Sequence, residues 1–255
     1  MRLILPAILI FLGTGMQLAC ESFFDPDEQE QAPMEIVSAS PGMYETDVPT
    51  NVVLRVKLSK HLDVNYFSSS DVTLRSGRFG KWLMSYYDPL DMSLVLWPST
   101  ALFPGTVWEL SFDDRFKALD GGWSEPALIT RFRTGESEAE RTIYTERTFV
   151  QDLKPIFDAH CIRCHGNEQF TDLDLRSPEG LTRTALNVQS VQWPLLERIV
   201  PDRPGASYLV YKLLDGENIS GRRMPRSMQN DERIPPLTME DKRVIVDWIL
   251  SGTVF

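Results

Sequence analysis

Cysteine is scarce in this chain, with three in 255 residues, at Cys20, Cys161 and Cys164. So few sulfurs, so unevenly placed, exclude a disulfide framework, and each needs its own chemistry. Histidine is as sparse, limited to His61, His160 and His165. Cations are short as well: 26 Lys and Arg stand against 36 Asp and Glu, giving a formal charge of -10 and a pI near 4.9. Phosphate recognition depends on clustered Lys and Arg, so nucleic-acid binding is excluded. No apolar run approaches the roughly 20 residues of a membrane-spanning helix. What is present, 42% hydrophobic and 24% charged residues, is the composition of a folding globular chain, long enough for two domains with adequate cores.

The amino terminus places Arg2 before the apolar run Leu3 to Leu12, followed by small residues up to Leu18, Ala19 and Cys20. Charge, apolar core and small-residue stretch occur in the order of a secretion signal, so residues 1–19 are expected to direct export. Ala19 and Cys20 resemble the end of a bacterial lipoprotein signal, with Gln17 where that signal usually has Leu. The resemblance implies lipidation of Cys20 as the chain's only membrane anchor. It also implies an outer-membrane destination or the periplasmic or cell surface face, because Glu21 is not the aspartate of inner-membrane retention. ESFFDPDEQEQ follows, so residues 20–32 read as an acidic tether. Fully extended it reaches about 35 to 40 Å and holds the folded part off the membrane.

Residues 33–135 carry strand signals. Val52, Leu54, Val56 and Leu58 alternate with Arg55 and Lys57, and Trp108, Leu110 and Phe112 alternate with Glu109 and Ser111. Further strands are expected over 35–39, 71–75, 82–86, 93–97 and 128–133, with turns at Pro41-Gly42, Pro104-Gly105 and Gly121-Gly122. Short strands at this spacing predict an all-β sandwich. IVSASPGMYETDVPTNVVLRV, LFPGTVWEL and FRTG make this half similar to bacterial immunoglobulin-like domains, a likeness of fold and not of chemistry. His61 reads as a solvated loop residue, and Trp82, Tyr86, Tyr87 and Trp97 as core or edge packing. The acidic ESEAE stretch opens a linker over 136–146.

Residues 147–255 contain Cys161-Ile162-Arg163-Cys164-His165. In an exported chain this pattern reads as c-type haem attachment: two thiols one turn apart meet two vinyl groups, and the adjacent imidazole lies beneath the iron. A thioredoxin-like dithiol would need a βαβ setting, and structural zinc a second ligand pair. Met224, in a loop before Pro225, is the expected distal ligand, with Met228 next and Met239 opening a final helix. On CIRCHG, LDL, IVPDRPGASYLVYKL, RMP and IVDWILSG, this half resembles planctomycete-type cytochrome c domains. The resemblance implies a mainly α fold and one covalent haem c, held by Cys161 and Cys164, with His165 and Met224 on iron.

The leading expectation is therefore a membrane-tethered monohaem cytochrome, a carrier of single electrons rather than an enzyme, exchanging with redox partner proteins and using the Ig-like domain as spacer or docking module. The alternatives are a haem enzyme or gas sensor with an open distal site, and a surface scaffold or adhesion protein. Residues 141 to 255 hold about equal numbers of acidic and basic groups, so the acidity belongs to the tether and the sandwich.

Overall fold

Alternating side chains build the β-sandwich in the computed structural model, which describes residues 32–166, 171–214, 220–226 and 235–255. Cys20, the acidic tether and Met228 lie outside the described residues. The strands are β1 (Ile36–Ser40), β2 (Leu54–Leu58), β3 (Val72–Ser76), β4 (Phe79–Lys81), β5 (Leu83–Asp88), β6 (Ser93–Pro98), β7 (Val107–Phe112) and β8 (Ala127–Arg133). They form two four-stranded sheets, ordered β1-β2-β6-β5 and β4-β3-β7-β8, with every pair antiparallel.

Leu54, Val56 and Leu58 turn inward from β2, while Arg55 and Lys57 face solvent. Trp108, Leu110 and Phe112 of β7 meet them from the other sheet within one core. Strand β4 has no counterpart among the expected strands. Its three residues contain no alternation to read, and it exists because Gly77, at φ 55°, lets the chain turn back so that Phe79 pairs with Ser76.

The mainly α second domain expected over 147–255 is corrected by the structure. Among the described residues its α-helices are α1 (Lys154–His160), α2 (Pro178–Thr184), α3 (Tyr208–Lys212) and α4 (Met239–Leu250), of 7, 7, 5 and 12 residues. A π-helical turn over Phe149–Leu153 leads directly into α1, and Pro204–Ala206 forms a 3-10 turn. Proline is the physical reason: Pro178, Pro194, Pro201, Pro204 and Pro225 remove backbone donors and interrupt any long helix. Between α2 and α3 the chain is held by isolated bridges such as Leu186 to Ile199 and Glu197 to Ser207. Helix α4 is capped by Thr238, whose hydroxyl accepts from Asp241 N at 3.0 Å. Its Ile245, Val246, Trp248 and Ile249 are buried against Phe149, Leu153 and Phe157. Ser207 stands at the N-cap of α3 without capping it by its side chain: its hydroxyl accepts from Val200 N at 2.9 Å and donates to Arg203 O at 3.0 Å.

Gln31–Phe255 forms one compact unit. The C-terminal core takes in Tyr86 and Val95 from β5 and β6. Arg243 of α4 donates to the fully buried Asp88 at 2.6 Å. Gly205 lies so close to Tyr87 and Val64 that an added Cβ would sit 2.8 Å from each. His61 is not the solvated residue expected, because its Nδ1 lies 3.1 Å from the Tyr87 hydroxyl and its ring meets Tyr211 edge-on at 5.1 Å. In the linker, Ala139 O accepts from Asn51 Nδ2 at 2.8 Å, which ties that stretch to the sandwich.

Two stability measurements check this interface. Arg243→Ala leaves the Asp88 carboxylate buried without its cation, so urea denaturation should lose about 3 to 5 kcal/mol. Burial lowers His61 to about 4. The unfolded chain binds that proton near the ordinary imidazole value of about 6.5, so this contribution is complete above that pH and is lost as pH falls towards 4. The difference in stability between the parent protein and His61→Gln should change by up to about 3 kcal/mol across that window.

Candidate functional site

The end of α1 sets the geometry of the sulfur pair. Cys161 terminates the helix, its N–H donating to Phe157 O at 2.8 Å, and the chain then closes a tight turn on the Cys161 carbonyl. That carbonyl accepts from Cys164 N at 3.1 Å and from His165 N at 2.9 Å. The two sulfurs and the imidazole are thereby presented from one turn. His165 Nδ1 lies 3.1 Å from Thr171 Oγ1, and the Thr171 hydroxyl donates to Cys164 O at 3.3 Å. This contact commits Nδ1 and leaves Nε2 as the nitrogen to meet a ligand.

On the opposite wall Met224 is fixed through its backbone, its N–H donating to Lys212 O at 2.7 Å. The Lys212 ammonium donates to Ser220 O at 2.9 Å and to Arg222 O at 2.7 Å, so α3 holds the Met224 loop in place. Between these walls lies a cavity of about 460 Å³ lined by Cys161, Cys164, His165 and Met224 together with Leu173, Leu175, Ile199, Leu209 and Leu213. Lys212, Arg198 and Arg226 supply cations at the same cavity. Arg198 also donates to Thr184 O at 2.6 Å and to Asp172 at 2.5 Å, which fixes the loop after Thr171.

Burial dominates the electrostatics. It pushes the Cys161 thiol up to about 12, with Cys164 adding to the effect. Desolvation, then Arg226 and Arg198, lowers His165, so its imidazole is neutral at neutral pH. Lys212 is lowered by burial and by Arg226.

The structure thus brings together Cys161, Cys164, His165 and Met224, the four residues named from the sequence, and Arg226 of the basic loop joins them. Met239 is exposed at the start of α4, and Trp248 is core. Sequence reasoning missed Thr171, Arg198 and Lys212. Each acts by a hydrogen bond across a loop, which leaves no periodic or motif signal.

No family model matches the chain, and no curated protein matches it. Solved structures similar to it include PcoC, a methionine-rich copper resistance protein from Escherichia coli, at 15% identity and TM-score 0.33 over 40% of this chain and 99% of that one. CopC from Methylosinus trichosporium OB3b gives 12% identity and TM-score 0.31 over 42% and 99%. The N-terminal part of the bacterial S-layer protein SbsC gives 9% identity and TM-score 0.33 over 40% and 24%, so the chain spans about a quarter of that fragment.

These findings correct the cytochrome reading. No family model of that type matches the chain, and the mainly α domain is absent. Among the described residues no three His, Cys, Asp or Glu side chains are grouped to hold a metal ion. Covalent haem c with its iron, single-electron transfer and the haem-enzyme or sensor alternative are accordingly set aside. The cavity and its four named residues stand as geometry.

The raised Cys161 thiol has a direct consequence. At pH 8 its thiolate fraction is far below that of an ordinary cysteine, so iodoacetamide should modify Cys161 in the folded protein at least about 100-fold more slowly than free glutathione. Peptide mass mapping over time measures the rate, and unfolding in urea should restore ordinary reactivity.

Proposed function

We propose that this chain is an exported, lipid-tethered scaffold protein whose C-terminal part, packed on the Ig-like sandwich, carries a binding pocket for a small amphiphilic ligand. The observation that carries the reading is the cavity of about 460 Å³, where apolar side chains predominate and Lys212 and Arg226 add positive charge, Arg198 being paired with Asp172. That lining suits an apolar body bearing an anionic group. Leu173, Leu175, Ile199, Leu209 and Leu213 supply the apolar surface. Lys212 and Arg226 are placed to meet the anion, and Cys161, Cys164, His165 and Met224 are the residues that touch the ligand.

Export and the tether rest on the leader over residues 1–19 and on Cys20, with Glu21 favouring the outer membrane. No helix among the described residues is long and apolar enough to cross a membrane, so the acyl chains on Cys20 would supply the attachment. The sandwich is then the rigid body that presents the pocket outside the cytoplasm.

The test uses the mature full-length chain and 8-anilinonaphthalene-1-sulfonate, a probe with an apolar body and one anionic group. Its fluorescence should rise saturably on binding, and Met224→Glu, which sets a negative charge in the cavity wall, should weaken binding at least about tenfold. Mass spectrometry of the same protein purified from an exporting host identifies any molecule or adduct held at Cys161 and Cys164. Unchanged probe affinity in Met224→Glu contradicts the reading.

A further inference from the structure

The folded unit begins where aromatic and basic side chains collect at one end of the sandwich. Ala32 O accepts from Lys60 Nζ at 2.5 Å, and Met34 N donates to Trp123 O at 3.3 Å. The chain therefore enters beside the hairpin closed by the Lys117 to Trp123 bridge. There Tyr66 is 57% exposed and Trp123 39%, their rings 6.4 Å apart and edge to face. The Lys117 ammonium stands 4.3 Å from the Tyr66 ring centre and 5.9 Å from that of Trp123, and the Arg115 guanidinium 5.5 Å from Trp123. Two carboxylates are already engaged here: Asp120 pairs with Lys60 at 2.7 Å, and Glu125 with Arg115 at 3.1 Å. Lys117 has no carboxylate partner among the described residues, while the chain as a whole carries -10.

Exposed Tyr and Trp rings with cations among them are the chemistry of a bilayer interface, where the rings sit at headgroup level and Lys or Arg meets anionic lipid. Position selects the same occupant. Only eleven residues separate Cys20 from Ala32, so the point of entry lies at most about 40 Å from the lipidated residue. We propose that the Tyr66–Trp123 face rests on the membrane to which Cys20 tethers the chain, with Lys117 and Arg115 among anionic headgroups. The proposal rests on the lipid-tether reading. It replaces a folded part held away from the bilayer by one docked on it through a defined face, at an effective concentration set by the short tether.

The experiment uses the mature lipidated chain in vesicles of phosphatidylethanolamine and phosphatidylglycerol containing brominated acyl chains, which quench nearby tryptophan emission. The chain has six tryptophans, so quenching should remove on the order of one sixth of the emission. That quenching should disappear in Trp123→Phe. Lys117→Glu, a surface change that leaves the core alone, should reduce it at least about twofold, as should 0.5 M salt. Intact mass on the same preparation reads the lipid on Cys20. Lipid on Cys20 with no quenching, or with quenching equal in Trp123→Phe, overturns the docking face and leaves the tether standing. Absence of lipid on Cys20 overturns the tether and the proposal together.

Discussion

The ion pair between Asp88 and Arg243 is the constraint on which the rest of the molecule depends. Asp88 ends β5 at full burial, and burial raises its carboxyl while Arg243 opposes the shift. A charge in that position is tolerable only with its cation at 2.6 Å, so α4 must lie against the sandwich in one orientation. Asp247, one turn further along α4, lies 4.0 Å from the same guanidinium. Gly205 on Tyr87 and Val64 fixes a second point, and Arg203 donating to Val64 O at 3.2 Å a third. With those points set, Phe149, Phe157 and Trp248 close a core over β5 and β6.

The cavity follows from that placement. Short helices interrupted by proline leave the volume between α1 and α3 open, and the loops around it are held by hydrogen bonds of Thr171, Arg198 and Lys212. The lining of the resulting space includes four leucines and Ile199, together with a neutral imidazole, un-ionised Cys161 and Met224. Lys212 and Arg226 both line this space, so an anionic ligand group would be favoured beside them.

The strands were legible because half-buried strands write their faces in a period of two: Val56 against Lys57, and Leu110 against Glu109. Strand β4 was not, since Phe79–Lys81 depends on the turn at Gly77. In the C-terminal half, α1 ends at Cys161, where the cysteine-histidine motif begins. The extent of helix was over-read there, because a resemblance carried by short matching stretches outweighed the proline count. The members of the site were legible as a cysteine-histidine motif and a Met-Pro loop. The supports were not, because Thr171 and Lys212 act across loops and neither position carries a pattern. The interface was equally silent: nothing around Asp88 or His61 in sequence reveals Arg243 or Tyr211 as partners.

The central claim is that residues packed on β5 by Asp88 and Arg243 enclose a ligand pocket between His165 and Met224. A crystal structure of the full mature chain purified from an exporting host tests it most directly. The account predicts density for a bound molecule in that cavity, its apolar part against Leu209 and Leu213 and an anionic group within hydrogen-bond reach of Lys212 or Arg226. A collapsed or water-filled cavity in that structure would contradict it.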